Sequence, residues 1–424
     1  MNNQSSDKNS SISTSKKVAL TVLGALALLT FANVIQAGVN KYHEDDVHTV
    51  RISEDGIEVH VEEGIKVHVE EHISVHVDRH EVTDLGELMI EESFDVSPGE
   101  NLQVAVNDAD ISVETNNGDR AIIKVYLDGR DKEKAREYFE DQNYEVSREG
   151  VNVYVKTYPK RKNYSWNRDG GAKISVEVSI PVEFNVSLKT SDGDIYMDDA
   201  DGEIKLQSSD GDISAAALTG SSVNIRTSDG DIATKSVEAG KVSISTSDGD
   251  IRLKDIESND ISIKTSDGDI KADLLSGNAS VATSDGDIVI KSLEGNEMAV
   301  RTSDGEIVAH LVNASSSQFQ TSDGSIMLKS VTGDLTAKTS SGDLNVTLVA
   351  GEKVYLRTGD GDIFIRAPHD YSAELFLKGE RVRVASGFQF DGKLKENEAE
   401  GRINGGGHTI EARTSDGEVV FQEN

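Results

Sequence analysis

From residue 97 onward the chain alternates apolar and polar positions in short runs. Leu102-Gln-Val-Ala-Val106, Ile174-Ser-Val-Glu-Val-Ser-Ile180 and Phe184-Asn-Val-Ser-Leu188 each place an apolar side chain at every second residue. That is the period of a strand with one buried face. One stretch breaks the period. Residues 131–140 carry Ala135, Tyr138 and Phe139 at helical spacing behind Asp131, a residue type that caps helices, and predict a short helix. Residues 144–147 and 151–155 then read as a hairpin.

Past residue 189 the alternation becomes a repeat. Thr190-Ser191-Asp192-Gly193-Asp194-Ile195 returns ten more times, identically or in close variants, with glycines at Gly211, Gly230, Gly249, Gly268, Gly286, Gly305, Gly324, Gly342, Gly361 and Gly417. The first ten glycines recur at an interval that varies by only one position, and the last interval, from Gly361 to Gly417, is close to three times as long. Before each turn the pattern is apolar-x-apolar-x-Thr, as in Val223, Ile225 and Thr227. An apolar residue follows every copy, beginning with Ile195, Ile213 and Ile232. A weaker turn is expected half a period later, often at glycine, such as Gly202, Gly220, Gly277 or Gly333.

Two turns leave two short strands per period, and one such rung cannot bury its apolar side alone. Stacked rungs can, so the fold class is all-β: a β-solenoid of roughly 18–19-residue rungs with two strands each. At strand spacing, eleven turns and two degenerate rungs in 370–410 predict a stack of about 60 Å. The glycine is expected to supply left-handed backbone, and the first Asp and the Thr to bond locally at the turn. The second Asp has no evident structural duty. The chain divides into an export signal or anchor (1–37), an acidic leader (38–96), a capping part with helix and hairpin (97–189) and the repeat array (190–424).

Charge and composition narrow the partners. The 424 residues hold 43 basic and 76 acidic side chains, a net charge of −33. Such a field repels nucleic acid and anionic lipid headgroups. The absence of cysteine excludes disulfides and thiolate chemistry. Lys16-Lys17 precedes an uncharged apolar run, residues 18–32, and a small-residue exit at Ala37. This reads as an export signal, or, if retained, as a membrane anchor spanning 18–37. The protein is therefore placed in the periplasm or at the cell surface, touching membrane only through this segment.

Two groups of residues are candidates for metal. Seven of the ten histidines lie in the leader, and an eight-residue repeat brings His60, His68 and His76 to one strand face. Imidazole beside carboxylate suits zinc, nickel or copper, although this spacing gives no compact ligand set. Stacking also aligns the second acids, Asp194, Asp212, Asp231, Asp250, Asp269 and Asp287, into a row. Neighbours in it repel by about 0.9 kcal/mol in water, and Ca²⁺ would relieve that. No other cofactor is implied. A uniform carboxylate row offers no pair of unlike environments for acid–base work, so a polysaccharide-acting enzyme is the weakest class and none of these residues is assigned a catalytic role.

The strands of residues 102–127, the helix and hairpin, residues 174–188 and the Thr-Ser-Asp-Gly-Asp-Ile rungs together resemble the bacterial "putative adhesin" family of β-strand repeats. The resemblance covers over three quarters of the chain. It implies an envelope or surface protein, from a family with no settled activity, and it brings no catalytic residues; the long, regular exported array itself favours a non-enzymatic binding scaffold for a protein or glycan. The chain departs from that family in its heavy use of Asp where Asn is common, and in its His-rich leader.

Overall fold

The computed structural model describes residues 86–160 and 171–424, together with the backbone of a strand pair, Val47–Ser53 and Gly56–Val61. The chain forms two units, residues 1–72 and 73–424. In the first, the two strands pair antiparallel, with Thr49 opposite His60.

The second unit is a stack of parallel rungs. Its clearest members are seven strands of 13 or 14 residues, from Ile213–Arg226 to Ile326–Lys338. Each runs from one motif turn to the next. The two expected strand segments are thus joined without a break at a corner half a period from the turn. Parallel pairing aligns equivalent residues. Ile213, Ile232, Ile251, Ile270, Ile288, Ile307 and Ile326 form one column, continued by Leu344, Ile363 and Val419. All ten are buried. The core is these aliphatic columns, and volume is balanced within a rung. Phe319 is buried in a rung that carries only Ala309 and Ser317 where adjacent rungs carry Ile290 or Leu328 and Met298 or Leu335, as interlocking packing requires.

The single-position variation in rung length is absorbed at the half-period corner. Register shifts fall between Glu257 and Asp260, Ser276 and Ala279, and Asn313 and Ser316, and the motif edge stays in register. The two 13-residue strands turn this corner on left-handed glycines, Gly277 (φ 135°) and Gly333 (φ 96°).

Both ends depart from the repeat. At the N-terminal end, Asn101–Ala105 and Ala109–Asn116 form the level beneath the first motif, pairing with Asn185–Lys189 and Ile195–Met197. Below it the pairing turns antiparallel. Lys173–Pro181 pairs with Arg120–Asp128, which pairs with Glu87–Asp95, and the hairpin Tyr144–Glu149/Asn152–Thr157 closes the other side. Helix α1, Lys132–Gln142, is capped by the Asp131 side chain, which accepts from the Lys134 N–H. It buries Ala135, Tyr138 and Phe139, and Phe139 stacks on Tyr144 with ring centroids 5.1 Å apart.

The C-terminal end corrects one expectation. The long gap does not hold further rungs between Gly361 and Gly417. Strands Lys353–Arg357 and Ile363–Ala367 pair directly with His408–Arg413 and Glu418–Glu423. The intervening chain goes past that position, makes one rung from Ala373–Lys378 and Arg381–Val384, and returns. The last segment of the sequence is therefore inserted beneath it. The level of Val419–Phe421 is covered. Arg381–Val384 covers one side, and the hairpin Phe390–Lys395/Glu398–Ile403 adds antiparallel strands beyond Ala373–Lys378. The outermost strands are short and carry Arg381, Arg383, Lys393 and Lys395, charges that guard open edges.

Candidate functional site

The motif edge is the most regular feature of the array, and its side chains work chiefly between levels. Each motif threonine is buried. Thr246 Oγ1 donates to the Gly230 and Ser228 carbonyls of the level beneath, at 3.0 Å each, and accepts from the Gly249 N–H of its own turn. The same arrangement recurs at Thr283, Thr302, Thr321 and Thr339. Backbone bonds repeat as well: the Ser228 and Asp229 N–H groups both reach the Ser209 carbonyl.

The motif glycines do not adopt the left-handed backbone expected of an Asp-Gly turn. Their need for glycine is steric. A Cβ on Gly268 would lie 2.0 Å from the Gly249 carbonyl oxygen, and the other copies are equally tight. The lowest turn shows the converse. Ala109 occupies the glycine position there, and the first motif, at Gly193, stacks on its carbonyl.

The second acids acquire the duty that the sequence withheld. Asp194 accepts from the Asp212 N–H one level up, Asp212 from Asp231, Asp231 from Asp250, Asp250 from Asp269, Asp269 from Asp287 and Asp287 from Glu306, at 2.7–2.9 Å. Each carboxylate thus caps an amide that the turn leaves outside the strand ladder. A hydrogen bond to a charged acceptor contributes about 1.5–3 kcal/mol, which outweighs the roughly 0.9 kcal/mol of repulsion along the row. The hydrogen bonds therefore offset the repulsion along the row. Arg252 also bridges Asp231 and Asp250, at 2.8 and 2.6 Å. The ladder pauses where Glu306 stands below Ser325, and resumes with the Ser325 hydroxyl accepting from Asp343.

The six second acids lie one per level. Among the described residues, no group of three or more His, Cys, Asp or Glu converges to hold a metal. His60 sits in the strand Gly56–Val61, and His68 and His76 lie outside the described residues. The first acids of the motif are exposed at the turn. Burial, followed by the nearby carboxylates of Asp108 and Asp210, raises the pKa of Asp192. Asp108 is itself held in left-handed backbone (φ 49°) and accepts from the Tyr138 hydroxyl.

The outer face of the pre-turn strands carries a feature that net charge conceals. The residue immediately before each motif threonine or serine is basic in seven copies, neutral in four and acidic in none. Register places these residues in one exposed row that includes Arg226, Lys264, Arg301, Lys338, Arg357 and Arg413, with Lys378 above. The signal was present in the sequence, one residue outside the motif.

No helix among the described residues is long and apolar enough to cross a membrane. None of the curated proteins compared with the chain matches it. Several solved structures are similar to it, among them the following three. One, described as a "putative adhesin" from Bacteroides fragilis, is 10% identical and matches over 80% of this chain and 97% of its own, with a TM-score of 0.26. A "putative lipid binding protein" from Parabacteroides distasonis is 13% identical over 78% and 96%, with a TM-score of 0.27. A "putative adhesin" from Parabacteroides merdae is 12% identical over 79% and 96%, with a TM-score of 0.26. The profile of the family described as Toastrack DUF4097 matches residues 100–281 and 272–421. Those two matches run together across well over half of the sequence, and the chain belongs to the Toastrack DUF4097 family.

Proposed function

We propose that this protein is a non-enzymatic binding scaffold of the cell envelope, exported by residues 1–37 and offering the outer faces of its array to an envelope or surface protein or glycan. The observation that supports this reading is the division of labour within the rung. Apolar columns, threonines, glycines and second acids are absorbed in stacking, which leaves the outer faces as aligned rows of mostly polar and charged side chains, one position per level, without that duty. A repeated surface of this kind suits extended contact with a partner.

The test is retention of the purified full chain on envelope preparations and intact cells, compared with a chain lacking residues 232–287, three whole rungs. Loss of whole rungs preserves nearest-neighbour stacking, so the shortened chain folds and is retained less. The reading fails if the full chain is retained no better than an unrelated protein of equal charge, or if shortening changes nothing. Protease treatment of whole cells tests the location: the array is cleaved on intact cells if surface-displayed, only after outer-envelope permeabilisation if periplasmic, and export is refuted if it stays with the cytoplasmic fraction.

A further inference from the structure

The row of cations before the motif threonine is not needed for stacking. Arg226, Lys264, Arg301 and Lys338 recur on every second level, with Ser245, Ala282 and Gln320 between them. Lys338, Arg357, Arg413 and Lys378 then occupy four successive levels. Like charges stacked at strand spacing repel one another. Among the described residues, only Arg413 of these last four has a carboxylate within ion-pair distance, Glu411 at 2.9 Å. Lys338 instead lies over the Tyr355 ring, 5.3 Å from its centroid. The four-cation end opens into a cleft of ≈ 1080 Å³, where Arg357, Arg413 and Lys378 are joined by Arg381, four cations against the two carboxylates, Glu380 and Glu396, that also line it.

We infer that this row and cleft bind a linear acidic polysaccharide whose charges are carboxylates. The inference rests on the scaffold reading and names its partner class. The spacing favours such a polymer: cations on every second level stand about 9.6 Å apart, twice the strand separation, a repeat suited to one carboxylate per pair of sugar units. On successive levels the spacing suits one per unit. The neighbouring column on the same face offers Ser262, Ser280, Gln318 and Thr336, hydroxyl and amide groups able to pair with sugar hydroxyls. A single-stranded nucleic acid would require a series of stacking aromatics, whereas this face carries Tyr355 and Phe376 at one end only.

The test measures binding of the full chain to polygalacturonate, to the same polymer fully methyl-esterified, and to oligothymidine, over a range of salt. Binding to polygalacturonate, at least tenfold weaker binding of the esterified polymer, and a tenfold or greater loss in the double variant Arg357→Gln/Lys378→Gln with an unchanged thermal melt support the inference. A variant of two exposed cations on the post-turn half of the strands, Lys235→Gln/Lys254→Gln, is expected to bind as the parent does. Equal binding of both polymers, tighter binding of oligothymidine, or an unchanged double variant overturns it. Retention on envelopes without uronate binding refutes this inference and leaves the scaffold reading standing. Absence of both removes the two together.

Discussion

The two corners of each rung obey different rules. At the motif edge four devices recur from level to level with few exceptions: a buried threonine, a glycine with no room for a side chain, a shared serine carbonyl and an acid reaching up one level. No residue is gained or lost there. At the opposite corner one residue comes and goes, register slips, and the side chains vary. A solenoid needs only one edge to fix the alignment of its levels. The other is free to absorb changes in length. Identity is kept where contacts cross levels, and it relaxes where the corner only has to close.

Adding one methyl group to each corner should break that comparison most sharply. Gly268→Ala sets a Cβ 2.0 Å from the Gly249 carbonyl oxygen, and should cost about 4 kcal/mol or more, in the range reserved for forced backbone movement. Gly240→Ala, whose Cβ would meet the Ser221 carbonyl oxygen at 2.8 Å, also forces a backbone shift, but a smaller one, and should cost about 2 kcal/mol. Urea denaturation of both variants gives the difference, and equal costs would refute the steric account of the motif glycine.

A second contrast uses one residue type in two places. Thr246→Val strips bonds from the Gly230 and Ser228 carbonyls and the Gly249 N–H and should destabilise by about 2 kcal/mol. Thr234 is fully buried in an aliphatic column between Ala215 and Leu253, with no partner for its hydroxyl. Thr234→Val should stabilise by about 1 kcal/mol. Opposite signs in the same melt distinguish the clamp from the core.

The acid ladder predicts a smaller gain. Glu306→Asp restores the side-chain length found one level below and lets the carboxylate reach the Ser325 amide. It should add about 1 kcal/mol, read as a higher denaturation midpoint. A neutral or destabilising outcome would mean that residue length is not what interrupts the ladder.

The last expected effect is a matter of sign. Burial beside Asp108 and Asp210 raises the Asp192 pKa in the folded chain. A carboxyl with a raised folded pKa favours the fold while protonated, and that contribution is lost as pH rises through the folded value. Asp192→Asn should therefore raise the thermal midpoint at neutral pH, with the gain vanishing in acid. A gain that grows in acid would reverse the assignment.

Much of the fold was legible in the sequence because its core is one-dimensional. The column from Ile195 to Val419 follows from a period and an alternation alone. The order of levels at the C-terminal end was not, because the interval from Gly361 to Gly417 mimics three periods, whereas only the placement of Ala373–Lys378 beyond His408–Arg413 reveals an insertion. The motif glycine was identified, but its reason was misread. Left-handed backbone and close approach both demand glycine, and only stacking tells them apart. The role of Asp231 or Asp250 escaped notice because its partner is an amide 19 residues away. The cationic row was written beside seven of the motif threonines and was masked by a net charge averaged over the whole chain.

The most direct test of the central claim, that the motif edge clamps the levels and the opposite corner does not, is native-state hydrogen exchange resolved to single amides. The Asp231, Asp250 and Asp269 N–H groups, each held by the acid one level below, should exchange only with global or whole-rung opening, while those of Ser258, Asn259 and Gly277 at the corner exchange at least a hundredfold faster. Equal protection at the two corners, or faster exchange at the motif edge, would contradict the account.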